Sequence, residues 1–391
     1  MQYITFLNKC IKYCANKRNQ RDGQTWVLGE WFGKRTGDNV TFYANYLAKN
    51  YRNLNLYWLC DKSCNTSGLD KRINVLDFTT REAVEISKKS AVAVMGEGIS
   101  DLSHDITNYW GNAVKVNLWH GVMWKKIGHD AEKIKPNPII RVLRNRMYYY
   151  DLYETPSNEY SKHFKTAFYA ENQTLLNCGL PRNSLFFDSV GIENCRRKIL
   201  KKLFLHDSDQ LIAYLPTFRD SHSRPFSFTD IKDHSFHNWI KSNNIYILQK
   251  AHAAEIGAFG SSSENIINVT DFSAQEIMAA SNMLITDYSS CFFDYLLLDR
   301  PIIHYLYDYV YYKNKDRGLY YDKEDVVCGS VPETEEELIK AIKNNIENPA
   351  LYHDLRMKRK EKFMTFENPD SCEIITQRIF EELRKRGISV T

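Results

Sequence analysis

The sequence predicts an α/β protein built from two successive doubly wound domains, and two observations carry that prediction: its length and a repeated alternation of short apolar runs with helix-like segments. At 391 residues the chain exceeds what one hydrophobic core usually serves, so two domains of somewhat under 200 residues each are expected. Strands that alternate with helical segments mean βαβ units and a parallel sheet.

The first series starts at Leu54. Leu56-Tyr-Trp-Leu59 reads as a strand, Thr80 to Ser90 as a helix, and Ala91-Val-Ala-Val-Met95 and Val114-Lys-Val-Asn-Leu118 as further buried strands. A second series begins near Gln210, with Leu211–Leu215, Ile245–Leu248, Ile266–Val269, Met283–Thr286 and Pro301–Tyr305 as strands. Thr334–Asn348 and Leu351–Phe366 read as C-terminal helices. The expected division is 1–190 and 191–391, with the last helix crossing back to the first domain. Two Rossmann-like domains with the active site in the interdomain cleft constitute the GT-B arrangement.

Composition narrows the function. The formal net charge of +4 is too small for a protein that wraps nucleic acid, and no nucleic-acid-binding motif is present. Nine scattered cysteines show no zinc spacing and fit reduced thiols in a cytosolic compartment. No secretory signal is visible, and no apolar run approaches the ~18 residues that span a bilayer. The 25 Tyr and 20 Phe suggest amphipathic surfaces. Basic residues cluster at Arg141-Val-Leu-Arg144-Asn-Arg146, Arg196–Lys202 and Lys358–Lys362, each of which also reads as a solvated helix face.

Ligands of open α/β sheets bind beyond the carboxyl ends of the strands, and five such segments stand out. Trp119-His120-Gly121 follows a strand and leads into Lys125-Lys126-Ile127-Gly128, so His120 can serve as a general base beside a flexible glycine. Thr286-Asp287-Tyr288-Ser289-Ser290 precedes a helix whose free N–H groups suit a pyrophosphate, with plain N-capping as the alternative. Pro216-Thr217-Phe218-Arg219 offers a guanidinium for phosphate oxygens. Lys250-Ala-His252 supplies a second strand-end histidine. Gly179-Leu-Pro181-Arg182-Asn183 is a turn near the expected hinge.

Taken in order, these segments resemble the CDP-glycerol glycerophosphotransferase family of teichoic acid primases and polymerases and related capsule enzymes. Phe292-Phe293-Asp294-Tyr295, Arg300-Pro-Ile-Ile303 and Tyr321-Asp322 extend the likeness over roughly residues 25–370. The chain departs from the family pattern at Ala253, where proline is usual, and at His129, where tyrosine is.

The resemblance implies a metal-independent enzyme that needs no cofactor and sits on the cytoplasmic face of the bacterial membrane. It implies His120 and His252 as the catalytic histidines, and Arg219, Thr217, Asp287, Ser289 and Ser290 as the nucleotide and phosphate contacts. Gly121, Lys125, Lys126, Arg182 and Asn183 are candidates for the acceptor side of the cleft. The expected reaction is attack of an acceptor hydroxyl on the distal phosphorus of a CDP-polyol, releasing CMP, with the His120 imidazole titrating near working pH. Glycerol and ribitol remain open as the polyol, as do a lipid-linked and a polysaccharide acceptor. The rival readings are a glycosyltransferase using a UDP- or CMP-sugar and a non-catalytic envelope-assembly protein.

Overall fold

The computed structural model describes residues 11, 14–131, 149–217, 225–250, 259, 262–311 and 318–390. The chain divides into two compact units. The first takes Met1–His120, Glu132–Ser184 and Phe366–Thr391, and the second takes Gly121–Ala131 and Leu185–Thr365. The division is therefore discontinuous, not a single cut between residues 190 and 191.

The first unit carries seven parallel strands, β1 (Asp22–Gly29), β2 (Asn55–Cys60), β3 (Asn74–Asp77), β4 (Ser90–Met95), β5 (Val114–Asn117), β6 (Leu152–Thr155) and β7 (Leu175–Asn177). Their order across the sheet is β3-β2-β1-β4-β5-β6-β7. The second unit carries β8 (Gln210–Leu215), β9 (Ile245–Gln249), β10 (Ile266–Asn268), β11 (Met283–Thr286) and β12 (Ile302–His304), in the order β10-β9-β8-β11-β12. Every pairing in both sheets is parallel. These are two Rossmann-like sheets, the pair that the alternation of runs predicts. The central strands are apolar almost throughout because helices cover both faces of a parallel sheet.

The helix Asn39–Asn50 starts at Asp38, whose side chain accepts from the Asn39 N–H. It buries Val40, Tyr43, Ala44 and Leu47 against Trp26 and Leu28 of β1 and Trp58 of β2. The last helix, Ser371–Lys385, belongs to the same core through Cys372, Ile375, Ile379 and Leu383. Fully burying one such Ile or Leu is worth about 1.5–3 kcal/mol. Its Thr376 hydroxyl also meets the Tyr43 hydroxyl at 3.0 Å, so neither buried group goes without a partner.

The second core gathers Ile212, Tyr214, Ile247, Met283, Ile285 and Ile303 from the strands with Phe236 and Ile240 from the helix His234–Ser242. Leu338, Ile339 and Ile342 of the helix Glu335–Glu347 complete it; that helix opens with a capping box between Thr334 and Glu337. Among the described residues no helix is long and apolar enough to cross a membrane.

Candidate active site

In each sheet the strand order reverses at one place, and the crevice beyond the strand ends there is where open α/β sheets hold ligands. In the first sheet the reversal lies between β1 and β4, whose ends run directly into Gly29-Glu30 and Gly96-Glu97. In the second it lies between β8 and β11, which run into Pro216-Thr217 and Asp287.

His120 follows β5, next to β4. Its turn is strained: Trp119 has φ +40°, and Gly121, at +124°, takes a conformation that glycine alone adopts readily. The strain persists because the backbone is held on several sides. Asn117 Oδ1 accepts from the Trp119 N–H at 2.9 Å, and Asn39 Nδ2 donates to the Leu118 and Trp119 carbonyls at 2.9 and 3.0 Å. The imidazole stacks on Trp119, with centroids 4.3 Å apart, and lies 5.3 Å from Trp31. Its Nδ1 is buried and 3.4 Å from Glu97 Oε1, while the side chain as a whole keeps 31% exposure.

Desolvation draws the imidazole down to about 4, against the pull of Asp38 and with help from Arg182 and Arg35. This corrects the expectation of a group titrating near working pH. Burial of Nδ1 and the contacts with the two indoles take away part of the water that would stabilise the imidazolium, so His120 is neutral at pH 7 with a lone pair to offer.

Around it stand four carboxyl groups that sequence reading did not find. Glu30 accepts from the N–H groups of Asp38, Val40 and Thr41 at 2.9, 3.1 and 3.2 Å and from the Thr41 hydroxyl at 2.7 Å, at the start of the helix. Burial, then the charge of Asp38, still pushes its carboxyl upward. Burial would likewise raise Asp38, yet the charge and hydrogen bond of Arg182, with the Asn39 N–H, outweigh it and hold Asp38 below the usual carboxylate range. Burial raises Glu97 to about 7 and, with the Glu97 charge, lifts Asp101 well above its ordinary value. The loop from Glu30 to Asp38 brings in Trp31, Phe32 and Gly33, all at positive φ, and places the Arg35 guanidinium 3.5 Å over the Trp31 ring. Glu30 and Glu97 could have been found as carboxylates directly following strands, had β1 been read as one.

Arg182 and Asn183, candidates for the acceptor side, are tied into the first unit by hydrogen bonds. Gly179 at φ +76° turns the chain, and Arg182 is then buried with Nη1 donating to Asp38 Oδ1 at 2.6 Å and to the His120 carbonyl at 2.9 Å. Asn183 is fully buried and donates to Glu367 Oε1 at 3.0 Å.

In the second unit Thr217 and Asp287 meet across the strand reversal. Asp287 Oδ1 accepts from the Thr217 N–H at 2.8 Å and the Tyr288 N–H at 2.6 Å, while the Thr286 hydroxyl donates to the Leu215 carbonyl at 2.6 Å. Asp287 is thus a clamp between two loop starts. Ser289 and Ser290 are half-buried, and Ser290 makes no side-chain cap to the short helix Cys291–Tyr295. Ser289 Oγ accepts from the Cys291 N–H at 3.5 Å, a long bond. Gly121, Lys125 and Lys126 also belong to this unit: Lys126 N donates to Gly318 O at 3.0 Å, and Trp124 Nε1 to Tyr321 O at 2.9 Å. Arg219 and His252, together with the Arg141–Arg146 run, lie outside the described residues.

Two parallel sheets, each with one reversal of strand order, define the doubly wound, Rossmann-like α/β class. More particularly, the chain belongs to the CDP-glycerol:poly(glycerophosphate) glycerophosphotransferase family, whose sequence profile matches residues 13–381. The teichoic acid poly(glycerol phosphate) polymerase of Bacillus spizizenii is 29% identical over 59% of this chain and 61% of its own length. The corresponding polymerase of Staphylococcus epidermidis is 23% identical over 95% of this chain and 52% of its own. The chain therefore spans between half and two-thirds of the length of these relatives. The solved structure of the wall teichoic acid polymerase TagF matches the fold with a TM-score of 0.80 at 21% identity, over 98% of this chain and 96% of that one.

Proposed function

We propose that this chain transfers a polyol phosphate, glycerol phosphate from CDP-glycerol, onto a hydroxyl of a cell-envelope acceptor. The observation that carries the reading is His120, a neutral strand-end imidazole with one nitrogen buried and its remaining face exposed, inside a family whose name specifies this donor. In the proposed step His120 takes the proton of the acceptor hydroxyl. The freed electron pair forms the new O–P bond at the distal phosphorus, and the bond to the cytidylyl phosphate breaks, so that CMP leaves with that pair. Thr217, Arg219, His252, Ser289 and Ser290 are assigned to holding the donor phosphates, with Asp287 fixing the loops that carry them.

The test is product analysis by mass spectrometry, with CDP-glycerol, CDP-ribitol and UDP-sugars offered alongside lipid-linked acceptors. Glycerol phosphate addition with CMP release is the expected product. Transfer of a sugar alone would replace the reading with a glycosyltransferase.

Removing both hydroxyls with Ser289→Ala and Ser290→Ala should weaken CDP-glycerol binding by roughly tenfold or more, the worth of one hydrogen bond to a charged group. Calorimetric titration reads the change. An unaltered dissociation constant would leave these serines with local roles only.

Membrane attachment is assigned to the basic run Arg141–Arg146 beside Tyr148, Tyr149 and Tyr150, since basic side chains next to aromatic ones suit anionic headgroups. In liposome flotation the chain should follow anionic vesicles at low salt, release at high salt, and fail to bind after R141E/R144E/R146E. Absence of binding to anionic vesicles at any salt would end that assignment.

A further inference from the structure

We propose that Glu97 is a positioning residue for His120, holding the imidazole by Nδ1 so that Nε2 is the nitrogen that works. The proposal rests on the reading of His120 as the base, and its geometry is independent of that reading. Glu97 Oε1 and His120 Nδ1 are both buried, neither has a hydrogen-bond partner among the described residues, and they face each other at 3.4 Å. A buried polar atom left unpaired is costly, and a small ring rotation turns this contact into an Nδ1–H···Oε1 hydrogen bond. That bond fixes the tautomer, because a neutral imidazole with hydrogen on Nδ1 carries its lone pair on Nε2.

The supports of Glu97 are built for a fixed carboxylate. Its Oε2 accepts from the Trp31 N–H at 2.8 Å. Its own N–H is held by Asp101 Oδ2 at 2.8 Å, the same oxygen that accepts from Gly96 at 3.0 Å and Gly98 at 3.1 Å. Asp101 Oδ1 accepts from the Phe32 N–H at 2.7 Å, so one buried carboxyl ties the turn after β4 to the loop after β1. Trp119 stacks on the ring with centroids 4.3 Å apart, and Trp31 lies 5.3 Å away at a tilt. The other charged groups facing His120 are Asp38 and Arg35 on the loop before Asn39, Arg182 on the turn after β7, and Asp101. Glu97, within 4.0 Å of Nδ1, itself faces Asp101, Asp38, Glu30 and Arg35.

The energetic role follows from the charge that develops. When Nε2 receives the acceptor proton the ring becomes an imidazolium, and an ionised Glu97 beside Nδ1 stabilises it. Burial sets the Glu97 carboxyl at about 7, so the supporting charge is present above that pH and is lost below it. Transfer by the parent should therefore rise with pH through about 7.

The test uses the full chain with CDP-glycerol and a lipid-linked acceptor, reading CMP release across pH, together with nitrogen-15 NMR of the His120 ring. Glu97→Leu should lower kcat by about 100-fold or more, the scale on which orienting partners of a catalytic histidine act, with KM for CDP-glycerol little changed. Glu97→Gln, which keeps the shape and an acceptor oxygen, should lose less and abolish the rise near pH 7. The parent spectrum should show the Nδ1–H tautomer, and Glu97→Leu should show a mixture. A parent ring protonated on Nε2, or a Glu97→Gln profile identical to the parent's, overturns the proposal. Full activity of His120→Ala with the tautomer result intact would overturn the base assignment and leave the Glu97–His120 bond standing, so the two failures are separable.

Discussion

His120→Ala should lower the rate of polyol phosphate transfer by about 10²–10⁴, the usual cost of deleting a general base, while CDP-glycerol binding stays close to that of the parent. The large loss is expected because the ring is already poised for its task. Desolvation keeps it neutral at pH 7, the strained Trp119–Gly121 turn fixes its backbone, and the two indoles pack against it. Alanine removes the lone pair without disturbing Asn117 and Asn39, whose bonds hold the turn through backbone atoms. Single-turnover measurement of CMP release, with calorimetry for nucleotide binding, separates chemistry from affinity. Transfer within about tenfold of the parent would remove His120 from the role of base.

The strands with unbroken apolar runs, Ala91–Met95 and Met283–Thr286, are legible because full burial on both faces demands such runs. β1 is not, although it is central to its sheet: Asp22, Gly23 and Gln24 open it and Gly29 closes it, which reads as turn chemistry. β3, β6 and β7 are three or four residues long and offer too little pattern to count. The candidate site divides the same way. His120, Asp287 and the paired serines stand at the ends of readable strands, so sequence reading could single them out as candidates. Glu30, Asp38, Glu97 and Asp101 converge only once β1 lies beside β4 and β4 beside β5, an order that sequence spacing does not contain. The burial of Arg182 was not legible either. A turn with Gly179 and Pro181 looks like exposed hinge, yet its left-handed glycine returns the guanidinium to a buried carboxylate.

That buried pair yields the second large effect. Arg182→Met should destabilise the folded chain by about 3–5 kcal/mol, the cost of stripping one partner from a buried ion pair. Both side chains are nearly enclosed, at 6% exposure for Arg182 and 12% for Asp38, so water cannot replace the lost guanidinium. Methionine keeps much of the volume, leaving the unpaired Asp38 and the released His120 carbonyl as the sources of the loss. The pH dependence has a definite sign. Asp38 sits below its ordinary carboxylate value in the fold, so the pair's contribution is fully present above about 4 and fades as pH falls through the lowered folded value. The gap between parent and variant should accordingly be widest near pH 7 and narrow as the pH falls, because burial without Arg182 raises Asp38 in the variant, which is neutralised first, while the parent's lowered carboxylate follows only below about 4. Adding Asp38→Asn to Arg182→Met should recover part of the loss, because the stranded charge is gone. Urea titrations of the parent, both single variants and the double variant at pH 7 and pH 4 read all of this. A loss below about 1 kcal/mol at pH 7, the range of solvent-exposed pairs, would mean that Asp38 is hydrated in solution and that the Arg182 anchor does not hold the His120 turn.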